Sequence, residues 1–297
     1  MKQLITLFAC GFALSLFITG CAPKQNPSTS QNNKVNKDIY LQLYSLRDDV
    51  AKDLNGTVKQ VGDMGFKGIE AAGYDNGKLY GMEPNAFADF LKSNNLTLLS
   101  SHTGRQLADD ISKTNWDEIW KWWDLAIATH KAAGAKYIVT PWMPTPKTLS
   151  DLKKYCDYYN QIGERCNKAG LKFGYHNHDF ELKEIEGQVM YDYMLKNTDP
   201  SKVFFQMDCY WIMRGGKSPV DYFKTYPGRF QILHIKDEKE LGESGMMGFD
   251  AIFKNIDYAG AKYIILEQER YTFAPIVSVQ RSLNYLLNSP FVKARYD

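Results

Sequence analysis

Cysteine is scarce: five occur in 297 residues, at positions 10, 21, 156, 166 and 209. Cys10 lies in an apolar leader and Cys21 at its end, which leaves Cys156, Cys166 and Cys209 for the folded part. Three thiols cannot all pair within one chain, so a disulfide scaffold is excluded. Cys156 and Cys166 fall on one predicted helix, about 15 Å apart along its axis, beyond the reach of a disulfide. Charge of one sign is also lacking. Lys and Arg number 36 against 34 Asp and Glu, a net charge of +2, so bulk electrostatics offer nothing to a nucleic acid. The apolar run from Leu4 to Ile18 falls short of the roughly 20 residues of a membrane span. Glycines are missing where a dinucleotide fold needs them: the first strand is followed by Arg47–Asp48–Asp49–Val50. An open doubly wound sheet usually carries a glycine-rich phosphate loop there.

The leader itself is informative. Lys2 precedes the apolar run, and Ile18–Thr19–Gly20–Cys21 has the form of a bacterial lipobox, cut before a cysteine that then carries lipid. Residues 1–20 are therefore expected to be a lipoprotein signal peptide, with Cys21 the lipidated residue. Residues 21–38, rich in Asn, Gln, Ser, Lys and Pro, should form a flexible tether, having too little apolar area to bury. The expected location is the bacterial cell envelope, as a periplasmic or outer-membrane lipoprotein. The lipid would be the sole contact with a membrane.

Residues 39–297 alternate between short apolar strands and amphipathic helices. The predicted strands are 39–47, 68–72, 96–102, 137–140, one beginning at 173, 203–208, 230–237 and 263–268. Helices are predicted between them, at 54–64, from Pro84 to 94, 116–133, 149–169, 191–197, 219–226 and 249–259, with a last one at 276–287. Eight strand–helix units about thirty residues apart match the βαβ period. The strands are apolar on both faces, as parallel strands covered by helices are. The fold class is α/β, a single (β/α)8 TIM barrel.

In such a barrel, function sits at the C-terminal ends of the strands. Those ends read Gln42 and Tyr44, Glu70, His102, Thr140 and Trp142, His176 and His178, Asp208, His234 and Lys236, and Glu267. Apolar strands that all end in polar groups suggest convergence on one mouth, since burying such groups is costly without a purpose. Asp208, His234 and Glu267, with one histidine of the fifth strand, would form a mixed nitrogen–oxygen site for a divalent metal. Mn, Co, Zn or Fe suits that set better than Mg. Such an ion polarises a carbonyl and acidifies its neighbouring C–H. Glu267 could double as a base. His176 and His178, two residues apart, would share a strand face. Lys236 could hold a substrate oxygen or pair with an acid, and Tyr44, Trp142 and Trp211 would be walls against sugar rings.

Particular motifs sharpen this. Leu41–Gln42–Leu43–Tyr44–Ser45–Leu46–Arg47, Tyr175–His176–Asn177–His178–Asp179–Phe180–Glu181, Met207–Asp208–Cys209–Tyr210–Trp211 with Gly215–Gly216, Leu233–His234–Ile235–Lys236–Asp237 and Leu266–Glu267–Gln268–Glu269 together resemble the sugar phosphate isomerase/epimerase family, with its xylose isomerase-like barrel. The resemblance covers Ile39 to the C-terminus. It implies a divalent metal held by a Glu, an Asp, a His and a second Glu. Asp208, His234 and Glu267 match three of these, and His176 stands where many relatives have the first Glu. Members with two facing Glu residues use them as an acid/base pair. The replacement argues against a two-Glu acid/base pair and leaves open one-base isomerisation, dehydration or elimination, with His176 or His178 carrying the proton.

The expected activity is metal-dependent isomerisation or epimerisation of a non-phosphorylated sugar or keto-sugar, through removal of a proton α to its carbonyl. Glu267, His178 and Lys236 are the catalytic candidates. His176, Asp208, His234 and Glu267 are the metal candidates. Gln42, Tyr44, Glu70, His102, Trp142 and Trp211 are expected to bind substrate. Elimination on a 3-keto-glycoside, as a lyase, is the alternative on the same site. A non-catalytic carbohydrate-binding lipoprotein is the reading from another class. No nucleic-acid partner is expected.

Overall fold

The computed structural model describes residues 36–296. The expected signal peptide, Cys21 and nearly all of the expected tether lie outside that range. Eight parallel strands close into a barrel. They are β1 (Ile39–Gln42), β2 (Gly68–Ala71), β3 (Thr97–His102), β4 (Tyr137–Thr140), β5 (Lys172–His176), β6 (Val203–Asp208), β7 (Ile232–Ile235) and β8 (Tyr263–Leu266). Each pairs with its sequence neighbour, and β1 pairs with β8 to complete the ring. Helices between and after the strands include α1 (Leu54–Met64), α2 (Pro84–Ser93), α3 (Trp116–Ala132), α4 (Leu149–Ala169) and α5 (Met190–Asn197). Further round are α6 (Pro219–Thr225), α7 (Phe249–Lys254) and α8 (Pro275–Asn288). The expected (β/α)8 barrel is the fold observed. No helix among the described residues is long and apolar enough to cross a membrane.

Local chemistry sets the element ends. Helix α4 starts where Thr148 Oγ1 accepts the Asp151 amide at 3.1 Å, and stops at Gly170, whose φ of 84° is a left-handed cap. Two apolar layers follow from strand alternation. Outward residues such as Phe173 and Tyr175 pack against Trp123 of α3 and Tyr159 of α4. The barrel interior is filled low down by Tyr40, Leu99, Tyr137, Val139, Phe204, Ile232 and Ile265. Phe204 fits because Gly174 faces it; a Cβ at 174 would lie 2.5 Å from its ring.

Several strands end earlier than the sequence suggests. β1 stops at Gln42 because its side chain accepts the Tyr44 amide at 3.0 Å and starts a 3-10 turn, Leu43–Leu46. β7 and β8 stop at Ile235 and Leu266, so Lys236 and Glu267 sit just past the ladder. β5 ends at His176, so His178 is not on a strand and does not share a face with His176 by alternation. A register shift opposite Ile69–Glu70 makes Leu99 an extra residue in β3. Such a bulge re-aims the residues after it. Leu99 belongs to the interior cluster, yet Ser100 and His102 also reach the interior carboxylate of Glu70. Ser101 instead bonds Thr103 on the outer side.

Outside the barrel, His130 of α3 is fully buried, bonded to the Ala126 carbonyl at 2.7 Å and Thr103 Oγ1 at 3.1 Å. Burial pushes its pKa down to about 4, with the Ala126 carbonyl opposing. A histidine depressed on folding contributes stability that is full above its unfolded pKa near 6.5 and is lost as pH falls toward 4. The loss should approach 3 kcal/mol, since one pKa unit is about 1.4 kcal/mol. Urea midpoints at about pH 7 and pH 4.5 should differ markedly in the parent and less in His130→Gln. Equal differences in both proteins would remove His130 as the cause.

Candidate active site

Four of the chain's five histidines meet at the C-terminal mouth. The rings of His102 and His234 stack with centroids 5.4 Å apart, and His176 lies 4.9 Å from the first and 4.7 Å from the second. His178 adds a fourth ring, 5.0 Å from His176.

Beneath them Glu70, fully buried, is the hub. Its Oε1 accepts from Gln42 Nε2 and His234 Nε2, each at 2.7 Å, and lies 3.0 Å from His102 Nε2. Its Oε2 accepts from Ser100 Oγ and Gln206 Nε2, each at 2.7 Å. Burial alone would raise this carboxyl, but the His102 and His234 charges and hydrogen bonds outweigh it and hold it well below the usual carboxylate range.

This network assigns protons. Gln206 Nε2 must donate to Glu70, so Gln206 Oε1 must accept, and His176 Nδ1, 3.1 Å away, carries the hydrogen. His176 Nε2 is then a bare lone pair. Burial and the neighbouring imidazoles hold His176 neutral, well below the ordinary histidine range. His234 donates from Nε2 to Glu70 and directs Nδ1 to Glu267 Oε2 at 3.3 Å. Burial would lower His234, yet the charges and hydrogen bonds of Glu70 and Glu267 raise it to about 10.

The four expected metal ligands, His176, Asp208, His234 and Glu267, are brought together with one donor atom of each within 4.8 Å of every other, all buried. Asp208 Oδ1 accepts the Trp211 amide at 3.0 Å, while Oδ2 is buried with no partner. A buried lone carboxylate oxygen is costly. Burial drives the Asp208 carboxyl up to about 7. Two imidazoles and two carboxylates around an orphan oxygen are a donor set suited to a divalent transition metal. The Glu70–His234 bond fixes the orientation of the His234 imidazole, as such contacts do for imidazoles that hold a metal.

Lys236 is buried, with Nζ 3.3 Å from Glu267 Oε2, 3.0 Å from Glu269 Oε2 and 4.9 Å from the Trp211 ring centre. Desolvation works against Glu267 ionising, but Lys236 and His234 hold its carboxyl well below the usual range. His178 is placed by its backbone, whose amide donates to Glu181 Oε2 at 2.8 Å. Its Nδ1 is buried without a partner, and burial pushes its pKa down to about 4.

Above these groups lies a cavity of about 360 Å³, lined by Tyr44, His102, Trp142, His176, His178, Glu267 and Glu269, with Ala72 and Pro141. Tyr44 and Trp142 are each 45% exposed. Of the residues expected to touch substrate, Tyr44, Trp142 and His102 line this space. Gln42 and Glu70 do not: both lie fully buried under the histidines, bonded to each other. Trp211 stands beside Lys236 and His178. Sequence reading missed Ser100, Gln206, Glu181 and Glu269. Gln206 and Glu269 carried a signal, each two residues from an expected ligand.

The pattern of the xylose isomerase-like TIM barrel family matches residues 58–289. The chain belongs to this family. Among solved members, a sugar phosphate isomerase/epimerase from Parabacteroides distasonis is 35% identical, with a TM-score of 0.79 over 86% of this chain and 100% of that one. An inosose dehydratase from Geobacillus kaustophilus is 28% identical over 99 residues, so the match spans 32% of each protein. The IolI protein, crystallised with a zinc atom, shares the fold at 14% identity, with a TM-score of 0.61 over 83% of this chain. Xylose isomerase-like relatives thus include isomerases, epimerases and dehydratases.

Proposed function

We propose that this xylose isomerase-like protein is a metal-dependent enzyme that removes a proton α to the carbonyl of a non-phosphorylated sugar or keto-sugar. The observation that carries the reading is the convergence of His176, Asp208, His234 and Glu267 around the unpartnered Asp208 Oδ2. Those four residues would hold the ion, which when bound supplies Lewis-acid polarisation of a substrate carbonyl. Mn, Co, Zn or Fe fits the set better than Mg.

His178, kept neutral by burial, is able to take the substrate proton at a ring nitrogen. In isomerisation or epimerisation it returns that proton to carbon. In elimination it delivers it to the departing oxygen. Lys236, expected as a catalytic residue, does not line the cavity; paired with Glu267 and Glu269, it positions the two carboxylates that do. Glu267, strongly acidic, serves better as a ligand than as a base. Tyr44 and Trp142 offer flat faces to a sugar ring. The cavity lining has two carboxylates and no Lys or Arg, which disfavours a phosphate dianion. The dehydratase among the relatives supports elimination as an outcome, so a 3-keto-glycoside lyase is carried as a second reading. We further propose that Cys21 bears a lipid anchor in the cell envelope, supported by the leader and the small residues before it.

The test joins metal content to proton chemistry. The protein should hold one transition metal per chain and, with keto-glycosides or free ketoses in D2O, exchange the α proton or release product. His178→Ala should retain the metal and slow this by about a hundredfold or more. Failure to hold any metal after reconstitution with Mn, Co and Zn would sink the enzyme reading and leave the sugar-binding lipoprotein ahead.

A further inference from the structure

We propose that the N-terminal rim of the barrel is a docking surface for anionic lipid headgroups, which turns the cavity away from the membrane. This stands apart from the catalytic reading and rests on the proposed lipid anchor at Cys21.

Lysines recur where strands begin. Lys67 precedes β2, Lys136 precedes β4, Lys172 opens β5, Lys202 precedes β6 and Lys262 precedes β8. Starting a parallel barrel strand places a residue on the face opposite the functional mouth. The backbone amides of Lys67, Lys136 and Lys262 bond Ile39, Leu99 and Gln231 carbonyls at 2.8–2.9 Å, so these rim positions are fixed.

Three of the side chains open on a second cavity of about 450 Å³, lined by Asp38, Tyr40, Lys67, Lys136, Lys262, Tyr263, Arg295 and Tyr296. Four cations face one carboxylate, and that carboxylate, Asp38, is already paired with Arg295 at 2.9 Å. Among the described residues Lys67 and Lys262 have no ion-pair partner, and Lys136 Nζ is held only by the Tyr263 hydroxyl at 3.1 Å. By contrast Lys202 is neutralised by Glu164 and Lys37 is buried on the Leu286 and Ser289 carbonyls. In a chain with a net charge of only +2, a basin of unpaired lysines is a local excess of one sign. Like charges so gathered repel one another, and surfaces usually intersperse signs.

The place of this basin selects its partner. Asp38 lines it, so the first described residues lie at this rim. Cys21 lies seventeen residues before Asp38, a reach of roughly 60 Å at full extension. An anchor there would bring the rim within reach of headgroups, where each lysine adds about 1 kcal/mol of attraction to an anionic surface. The sugar cavity lies at the other end of the strands and would face away.

The full chain is mixed with vesicles of phosphatidylcholine, or with the same lipid containing phosphatidylglycerol. An anchor contributes equally to both, so the ratio of affinities isolates the rim. The parent should prefer the anionic vesicles by about tenfold or more near physiological salt, and lose the preference at high salt. Lys67→Gln/Lys136→Gln/Lys262→Gln should bring the ratio near one with unchanged thermal unfolding, and the triple Arg variant should keep it. Equal binding of the parent to both vesicles overturns the proposal, as does an unchanged ratio in the Gln variant. So does loss of the preference in millimolar inorganic phosphate at constant ionic strength, which would make the basin a free-anion site.

Discussion

Asp208→Asn is expected to weaken binding of a divalent metal by more than about a hundredfold while leaving the metal-free protein as stable as the parent or slightly more so. The two halves have one cause. Asp208 Oδ1 caps the Trp211 amide, and an asparagine carbonyl can do the same. Oδ2 is buried without a partner, and a carboxylate oxygen of Asp208 lies within 4.8 Å of donor atoms of His176, His234 and Glu267. The substitution removes an ionisable oxygen that is costly to bury in the empty site and useful in the filled one. Loss of an outer-shell partner alone costs 10–100-fold in metal affinity, about, so loss of a charged ligand should exceed that. Isothermal titration with Co or Zn, beside thermal unfolding in chelator, reads both halves. Parent-like affinity would show that Asp208 is not a ligand. A large fall in metal-free stability would show that its charge is structural.

Glu70→Ala should destabilise the protein by about 3–5 kcal/mol, the cost of removing one partner from a buried ionic network. It leaves Gln42, Ser100, His102, Gln206 and His234 with donors aimed at a void. Glu70→Gln should do little better, because its N–H₂ would face the N–H₂ of Gln206 or of Gln42, and would force the Ser100 hydroxyl or a histidine to switch from donor to acceptor. For a domain of this size the melting temperature should fall by roughly 10 °C. The damage should extend to the metal, since His234 would lose the bond that orients its ring. A glutamine variant that melts like the parent would deny Glu70 its place as the hub.

The two residues mark where sequence reading reached its limit. Asp208 was legible because it ends an apolar strand at the functional mouth of a barrel, a position set by period and topology. Glu70 ends its strand in the same way and was read as substrate-facing, yet it lies beneath the site. Strand-end position does not report depth along the barrel axis. Depth depends on stagger between strands, and here on the bulge at Leu99, which turns Ser100 and His102 inward to meet the carboxylate. His178 shows the same limit in another form. Its spacing from His176 suggested a shared strand face, but Asn177 ends the ladder by accepting the Asp208 amide at 3.0 Å. A turn anchored on Glu181, not strand alternation, then brings the ring to the site.

What the sequence determined by itself is what repeats or is local: eight strand–helix units, glycine-stopped helices and the polar strand ends, the four candidate ligands among them. These follow from periodicity and from short-range hydrogen bonding, which neighbouring residues dictate. Only the tertiary structure decided which polar groups line the cavity and which hold the others in place. It also decided which lysines stand unpaired at the opposite rim. Those outcomes depend on contacts between residues far apart in the chain, such as Glu70 with Gln206 and His234, and no local pattern encodes the distance between them.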